Sequence, residues 1–164
     1  MPHFKDPAGK LHFLDDAEFI NLLPAGSLQI TDAEADALRA PTLDQAKAHR
    51  WDAIKAERER RKVGGVKVKV GTVNKWFHSD DASRIQQMGL VMLGAGIPAG
   101  LQWKTMDGTF VAMDQTVAGN VFAAAAASDQ AIFAVAEGHR VAMEASADPA
   151  AYDYSTGWPK VYGE

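Results

Sequence analysis

The chain contains no cysteine. That absence excludes disulfides, thiolate metal sites and a cysteine nucleophile together, and it fits a reducing compartment. Long apolar runs are missing as well. No stretch reaches the ~18 uninterrupted apolar residues that a membrane helix needs. The nearest, residues 117–135, is alanine-rich and broken by Gly119, Asn120, Ser128, Asp129 and Gln130, and it reads as a buried helix. The opening Met1-Pro2-His3-Phe4-Lys5-Asp6 lacks the apolar core of a signal peptide. A Gly-x-Ser-x-Gly elbow and a phosphate-binding loop are both absent. Surplus charge is small: a formal net charge of -4 favours solubility and argues against general nucleic-acid binding.

What is present describes an ordinary globular chain. Its 164 residues suffice for one domain, or for a small domain with an appendage. The pattern predicts an α+β fold organised around residues 64–112. Val66, Val68 and Val70 alternate with Lys67, Lys69 and Gly71, as in a strand with one buried face. The chain turns near Gly71-Thr72 and returns through Lys75-Trp76-Phe77-His78. A helix follows to Leu93, with Ser79 and Asp80 offering caps. The glycine-rich segment 94–100 ends it. A second hairpin then turns at Met106-Asp107-Gly108, Asp-Gly being a strong hairpin signal. The two hairpins are expected to form one small antiparallel sheet under that helix and a long last helix. Trp76, Phe77, Ile85, Met92, Trp103, Phe110, Ile132 and Phe133 are the expected core.

Residues 1–40 read as a separate docking unit. Its hairpin turns at Asp6-Pro7-Ala8-Gly9, a short helix begins near Asp15-Asp16-Ala17-Glu18, and Thr31-Asp32-Ala33-Glu34 is a capping box. Residues 41–63 read as a connecting helix, opened by Thr42 and Gln45. Its apolar stripe is thin and its second half almost wholly charged, so the helix is expected to project from the body or to pack on a neighbouring chain through its first half. Residues 64–164 form the remaining domain. In its last helix Val121, Ala125, Ser128, Ile132, Val135, His139 and Ala142 share one stripe, and the aromatic tail 148–159 is expected to lie pinned on a surface.

Chemistry-bearing groupings are sparse. His3, His12 and Asp6 sit near one another on the first hairpin, but two histidines and one acid read more simply as exposed polar positions. His78-Ser79-Asp80 contains base, nucleophile and acid types, yet sequence neighbours seldom form a triad, since triads are assembled in space. No catalytic, cofactor-binding or metal-binding residue is assigned, and no cofactor is expected. The apolar residues of the 1–40 unit are too many for its own small core. Docking on another chain is expected through Phe13, Phe19 and Leu23, rimmed by Asp15, Asp16 and Glu18, which would select a basic surface.

A resemblance adds to this reading. The order Trp51-Asp52-Ala53-Ile54-Lys55-Ala56-Glu57-Arg58, Gly64-Gly65-Val66, Trp76-Phe77-His78-Ser79-Asp80, Gln102-Trp103-Lys104-Thr105-Met106-Asp107-Gly108 and Gly157-Trp158-Pro159 resembles a domain of unknown function that recurs in tail proteins of tailed bacteriophages and prophages. Phe4-Lys5-Asp6-Pro7-Ala8-Gly9 and Leu22-Leu23-Pro24-Ala25-Gly26 are similar to the front of phage tail-fibre assembly proteins. The resemblance implies a non-enzymatic tail protein that acts as an assembly chaperone for a tail fibre or receptor-binding protein. The alternative it implies is a structural subunit of the mature tail tip or fibre. A third reading, a phage cell-wall or capsule hydrolase, lacks the paired carboxylates or zinc site it requires. The implied partner is the fibre, or a second copy of the chain, with no membrane or nucleic acid. The implied location is the host cytoplasm during assembly, or the virion tail.

Overall fold

The computed structural model describes residues 2–164. It has the α+β arrangement expected from the sequence, divided into two compact units, Met1–Gln45 and Ala46–Glu164.

In the first unit, β1 (His3–Lys5) is the central strand of a three-stranded antiparallel sheet. It lies between β2 (Leu11–Phe13) and β3 (Leu28–Ile30). A 3-10 turn, Ala17–Leu22, links β2 to β3, with Asp16 capping it by accepting the Glu18 N–H at 3.0 Å. Helix α1 (Asp32–Arg39) begins in a complete capping box. Glu34 N–H donates to Thr31 Oγ1, and Thr31 N–H donates to Glu34 Oε2.

The second unit is built along one long helix. Helix α4 (Gln115–Glu144) is 30 residues, about 45 Å at the ordinary rise per residue. Asp114 caps it by accepting the Val117 N–H. Its buried positions include Val121, Ala125, Ile132 and Ala136, with Val135 and His139 half-buried. The stripe then continues through Met143, leaving Ala142 exposed, because the straight helix drifts away from a strict seven-residue repeat.

Two cores lie on that stripe. Against the first half pack the hairpin β4 (Val66–Val70) and β5 (Val73–Phe77), helix α3 (Asp81–Leu93), and the hairpin β6 (Gln102–Lys104) and β7 (Phe110–Ala112). Val66, Val68, Phe77, Val111, Val117 and Val121 belong to this core. The second core joins α4 to α2 (Leu43–Lys62) and the aromatic tail. Ile54, Ala136 and Met143 are buried there under Trp51, Tyr152, Tyr154 and Trp158.

Several expectations are corrected. The two hairpins do not merge into one sheet. They remain separate ladders, bridged by the Met106 N–H donating to Trp76 O at 2.9 Å and by Lys75 Nζ donating to Asp107 Oδ2 at 2.9 Å. Helix α2 is not a projecting arm. Ile54 is buried, and Arg61 is only 8% exposed, donating to Glu57, to Pro159 O at 2.8 Å and to Glu164 Oε2 at 3.1 Å. Ile85 and Met92 are outside the core, Met92 being 81% exposed. Arg84 sets the roll of α3 through a bidentate pair with Asp129 of α4, which turns Gln87 inward. Ile85 and Met92 stand roughly 150° around the helix from Gln87 and face out. Phe110 is 63% exposed, because Val111 takes the covered face of its ribbon and the other face is bare. Phe133 is also exposed, one position beyond buried Ile132, with the Arg58 guanidinium over its ring at 4.6 Å. Phe77 and Ile132 are buried, while Trp76 and Trp103 are half-buried.

Ser79 does not cap α3; Asp80 does, accepting the Ser83 N–H at 3.0 Å. Ser79 is instead buried at a junction. Its hydroxyl donates to Lys62 O at 2.6 Å and accepts the Gly65 N–H at 2.8 Å. Arg84 Nη2 donates to the same Lys62 carbonyl at 3.0 Å. Three segments therefore meet on the last turn of α2.

Candidate functional site

The sheet register decides which side chains of the first unit share a face. His3 stands opposite Phe13 and Ile30, and Lys5 opposite Leu11 and Leu28. These six therefore line one face, and Phe4, His12 and Gln29 the other. Helix α1 reaches the first face through His3. Arg39 Nη2 donates to His3 Nε2 at 2.6 Å, so the other ring nitrogen carries the proton and donates to Asp32 at 3.0 Å. An eight-residue helix covers little of that face. Leu11 and Ile30 are half-buried, whereas Phe13 and Leu28 remain 61% and 70% exposed.

The same holds for the segment that follows β2. Phe19, Ile20 and Leu22 on the 3-10 turn are all exposed, and Leu23 after it is half-buried. Asp15, Asp16 and Glu18 are exposed beside them. All six residues singled out for docking thus fall within residues 13–23. The structure adds Leu38, an exposed apolar residue of α1 that sequence reasoning did not include. Phe4, by contrast, is buried. Phe4 and Ala35 are the buried apolar residues of this unit among those described, a very small core for so many apolar side chains.

The turn of the first hairpin is held by polar bonds. Asp6 accepts the Lys10 N–H at 2.8 Å and pairs with His12 Nε2 at 3.0 Å. The His12 hydrogen bond, followed by the Lys10 amide, holds the Asp6 carboxyl below its ordinary range. His3 pairs elsewhere, with Asp32, so the structure does not assemble His3, His12 and Asp6 around a common point. Among the described residues, no group of three histidines or carboxylates is placed to hold a metal ion. Ser79 and Asp80 are committed to structural bonds, with Gly65 and Lys62 and with Ser83, while Gln87 Nε2 donates to the backbone carbonyl of His78. What the described residues of the first unit offer is an apolar surface with acidic residues beside it.

Sequence reasoning missed a groove in the second unit. It lies between α3 and β6, with a volume of about 890 Å³. Leu90, Leu93, Leu101 and Trp103 supply its apolar lining, and Lys104 and Gln102 part of its polar lining. Trp103, expected to be mostly core, packs half-buried against the core and also forms part of the groove wall. The available signal was the absence of any charged residue from Ile85 to Trp103, unusual for a segment whose helix is largely exposed.

The chain is an α+β protein. The family described as "Domain of unknown function (DUF4376)" matches residues 45–156, more than half of the chain, and the chain belongs to it. No curated protein and no solved structure matches the chain. Among the described residues, no helix is long and apolar enough to cross a membrane.

Proposed function

We propose that this protein is a non-enzymatic assembly chaperone of a tailed bacteriophage or prophage, which binds a tail fibre or receptor-binding protein until that partner assembles. The observation that carries this reading is the first unit, where Phe13, Leu22 and Leu28 are exposed while the buried apolar residues are Phe4 and Ala35. An apolar set of this density gains by burial against a partner, at about 25 cal/mol per Å² removed from water. Asp15, Asp16 and Glu18 steer it to a basic surface and disfavour acidic ones. The phage assignment is supported by the residue-order resemblance of both the front segment and the body.

Co-expression with a tail-fibre gene from the same genome tests the reading. The parent chain is expected to raise the yield of soluble fibre and to co-purify with it. Phe13→Glu with Phe19→Glu is expected to abolish both effects while lowering the melting temperature by no more than about 10 °C, since both rings are more than half exposed. Mass spectrometry of purified particles is expected to find the chain absent. A fixed copy number in mature tails would assign it instead as a structural subunit, and unaltered fibre binding by the double variant would remove the docking surface from the reading.

A further inference from the structure

The groove between α3 and β6 is bordered by the edge of a strand. Leu101, Gln102, Trp103 and Lys104 all line it, whereas no residue of β7 does. Successive side chains of a strand point to opposite faces. A groove that meets four consecutive residues therefore approaches the strand along its edge.

That edge has unused hydrogen-bonding groups. The Thr105 N–H donates to Thr109 O at 2.8 Å, and the Met113 N–H donates to Leu101 O at 2.8 Å. With Trp103 opposite Val111, these bonds fix the hydrogen-bonded positions of the ladder at 101, 103 and 105. Gln102 and Lys104 must then point their N–H and C=O groups away from β7. Among the described residues β6 has β7 as its one strand partner, so these four groups face the groove without a ladder. Exposed edges of this kind template pairing with another chain.

We propose that this edge receives an extended peptide segment of a partner protein, which adds a third strand beside β6. The chemistry of the segment follows from the lining. Leu90, Leu93, Leu101 and Trp103 accept apolar side chains from alternate positions. Lys104 is the one fully charged lining group, and no carboxylate lines the groove, so the segment carries an aspartate or glutamate. A second copy of this chain fits poorly, because its own β6 would bring another Lys104 and no acid. The groove belongs to residues 46–164, so this surface is separate from the apolar face of the first unit.

Panning a random twelve-residue peptide library on the full-length chain tests the proposal. Enriched peptides are expected to alternate apolar residues and to carry one acidic residue. Gln102→Pro removes an outward N–H while sparing the bonds to β7, so it is expected to weaken those peptides more than tenfold with an unchanged melting temperature. Lys104→Glu is expected to weaken them as well, less so as salt rises. A control on the peptide alone avoids any folding defect: N-methylation at alternate backbone nitrogens, in the register that faces β6, should abolish binding. Hydrogen exchange should slow at the amides of Gln102 and Lys104 on peptide addition. The proposal is overturned if no peptide is enriched over the bare support, if N-methylated peptides in both registers bind as well as the parent, or if the chain forms a dimer that Gln102→Pro dissolves.

Discussion

Phe77 and Phe110 are the same residue on two adjacent hairpins, and their replacement by alanine should have opposite weight. Phe77 is 0% exposed, within the core formed by Val66, Val68 and Val121. Phe77→Ala removes the ring and leaves a cavity that close-packed neighbours cannot fill, at a cost of about 3–5 kcal/mol. At about 4 °C per kcal/mol for a domain of this size, the melting temperature should fall by roughly 12–20 °C. Phe110 is 63% exposed. Full burial of a phenylalanine is worth about 1.5–3 kcal/mol, so the covered third contributes roughly 0.5–1 kcal/mol, or about 2–4 °C. Thermal melts followed by circular dichroism, with urea titrations of the same variants, measure both. A Phe110→Ala loss as large as that of Phe77→Ala would show that the second face of the β6–β7 ribbon is covered, and would refute the reasoning that leaves it bare.

Other outcomes follow from single contacts. Asp107 accepts from Lys75, Thr109 and Thr105, in that order of weight, and these bonds hold its carboxyl far below the ordinary carboxylate range. A carboxyl lowered on folding contributes stability above its unfolded pKa and loses it as pH falls through the folded one. The stability gap between parent and Asp107→Asn should therefore be constant near neutrality and close progressively below pH 3.8; a gap that is unchanged at low pH sinks the assignment. Gly65 has φ +91, and a Cβ there would overlap Met106 Sδ. Gly65→Ala should cost roughly 1–3 kcal/mol in backbone strain alone, with Met106→Ala relieving only the added clash. Full recovery in the Gly65→Ala, Met106→Ala double variant would mean that the positive φ costs nothing.

Much of the element order is legible because its signals are local. The Thr31/Glu34 box, the Asp80 and Asp114 caps and the valine alternation of β4 each need only a few neighbouring residues. Burial is harder to read, since it depends on partners far along the chain. Ile85 and Met92 look like core residues until Arg84 finds Asp129, forty-five positions away, and fixes the rotation of α3. Arg61 looks like part of a solvated helix end until the tail returns and places Pro159 O and Trp158 against it. In the first unit, composition pointed to a surplus of apolar residues. It did not reveal the sheet register, which groups Phe13 with Leu28 on one face. The groove left only the uncharged run from Ile85 to Trp103 as a mark, because its open strand edge is made of backbone, which residue types do not record.

The shared carbonyl of Lys62 also has a mechanical meaning. Ser79 and Arg84 both bond to it, and Arg84 is clamped in turn to Asp129. A pull along the axis of α2 is thus handed from the end of that helix directly into α3 and α4. The load bypasses Gly64-Gly65 and the two-stranded ribbon, the weakest members on its route. Ser79 and Arg84 share the tension in parallel at the Lys62 carbonyl, and the Arg84–Asp129 pair passes the share of Arg84 on to α4.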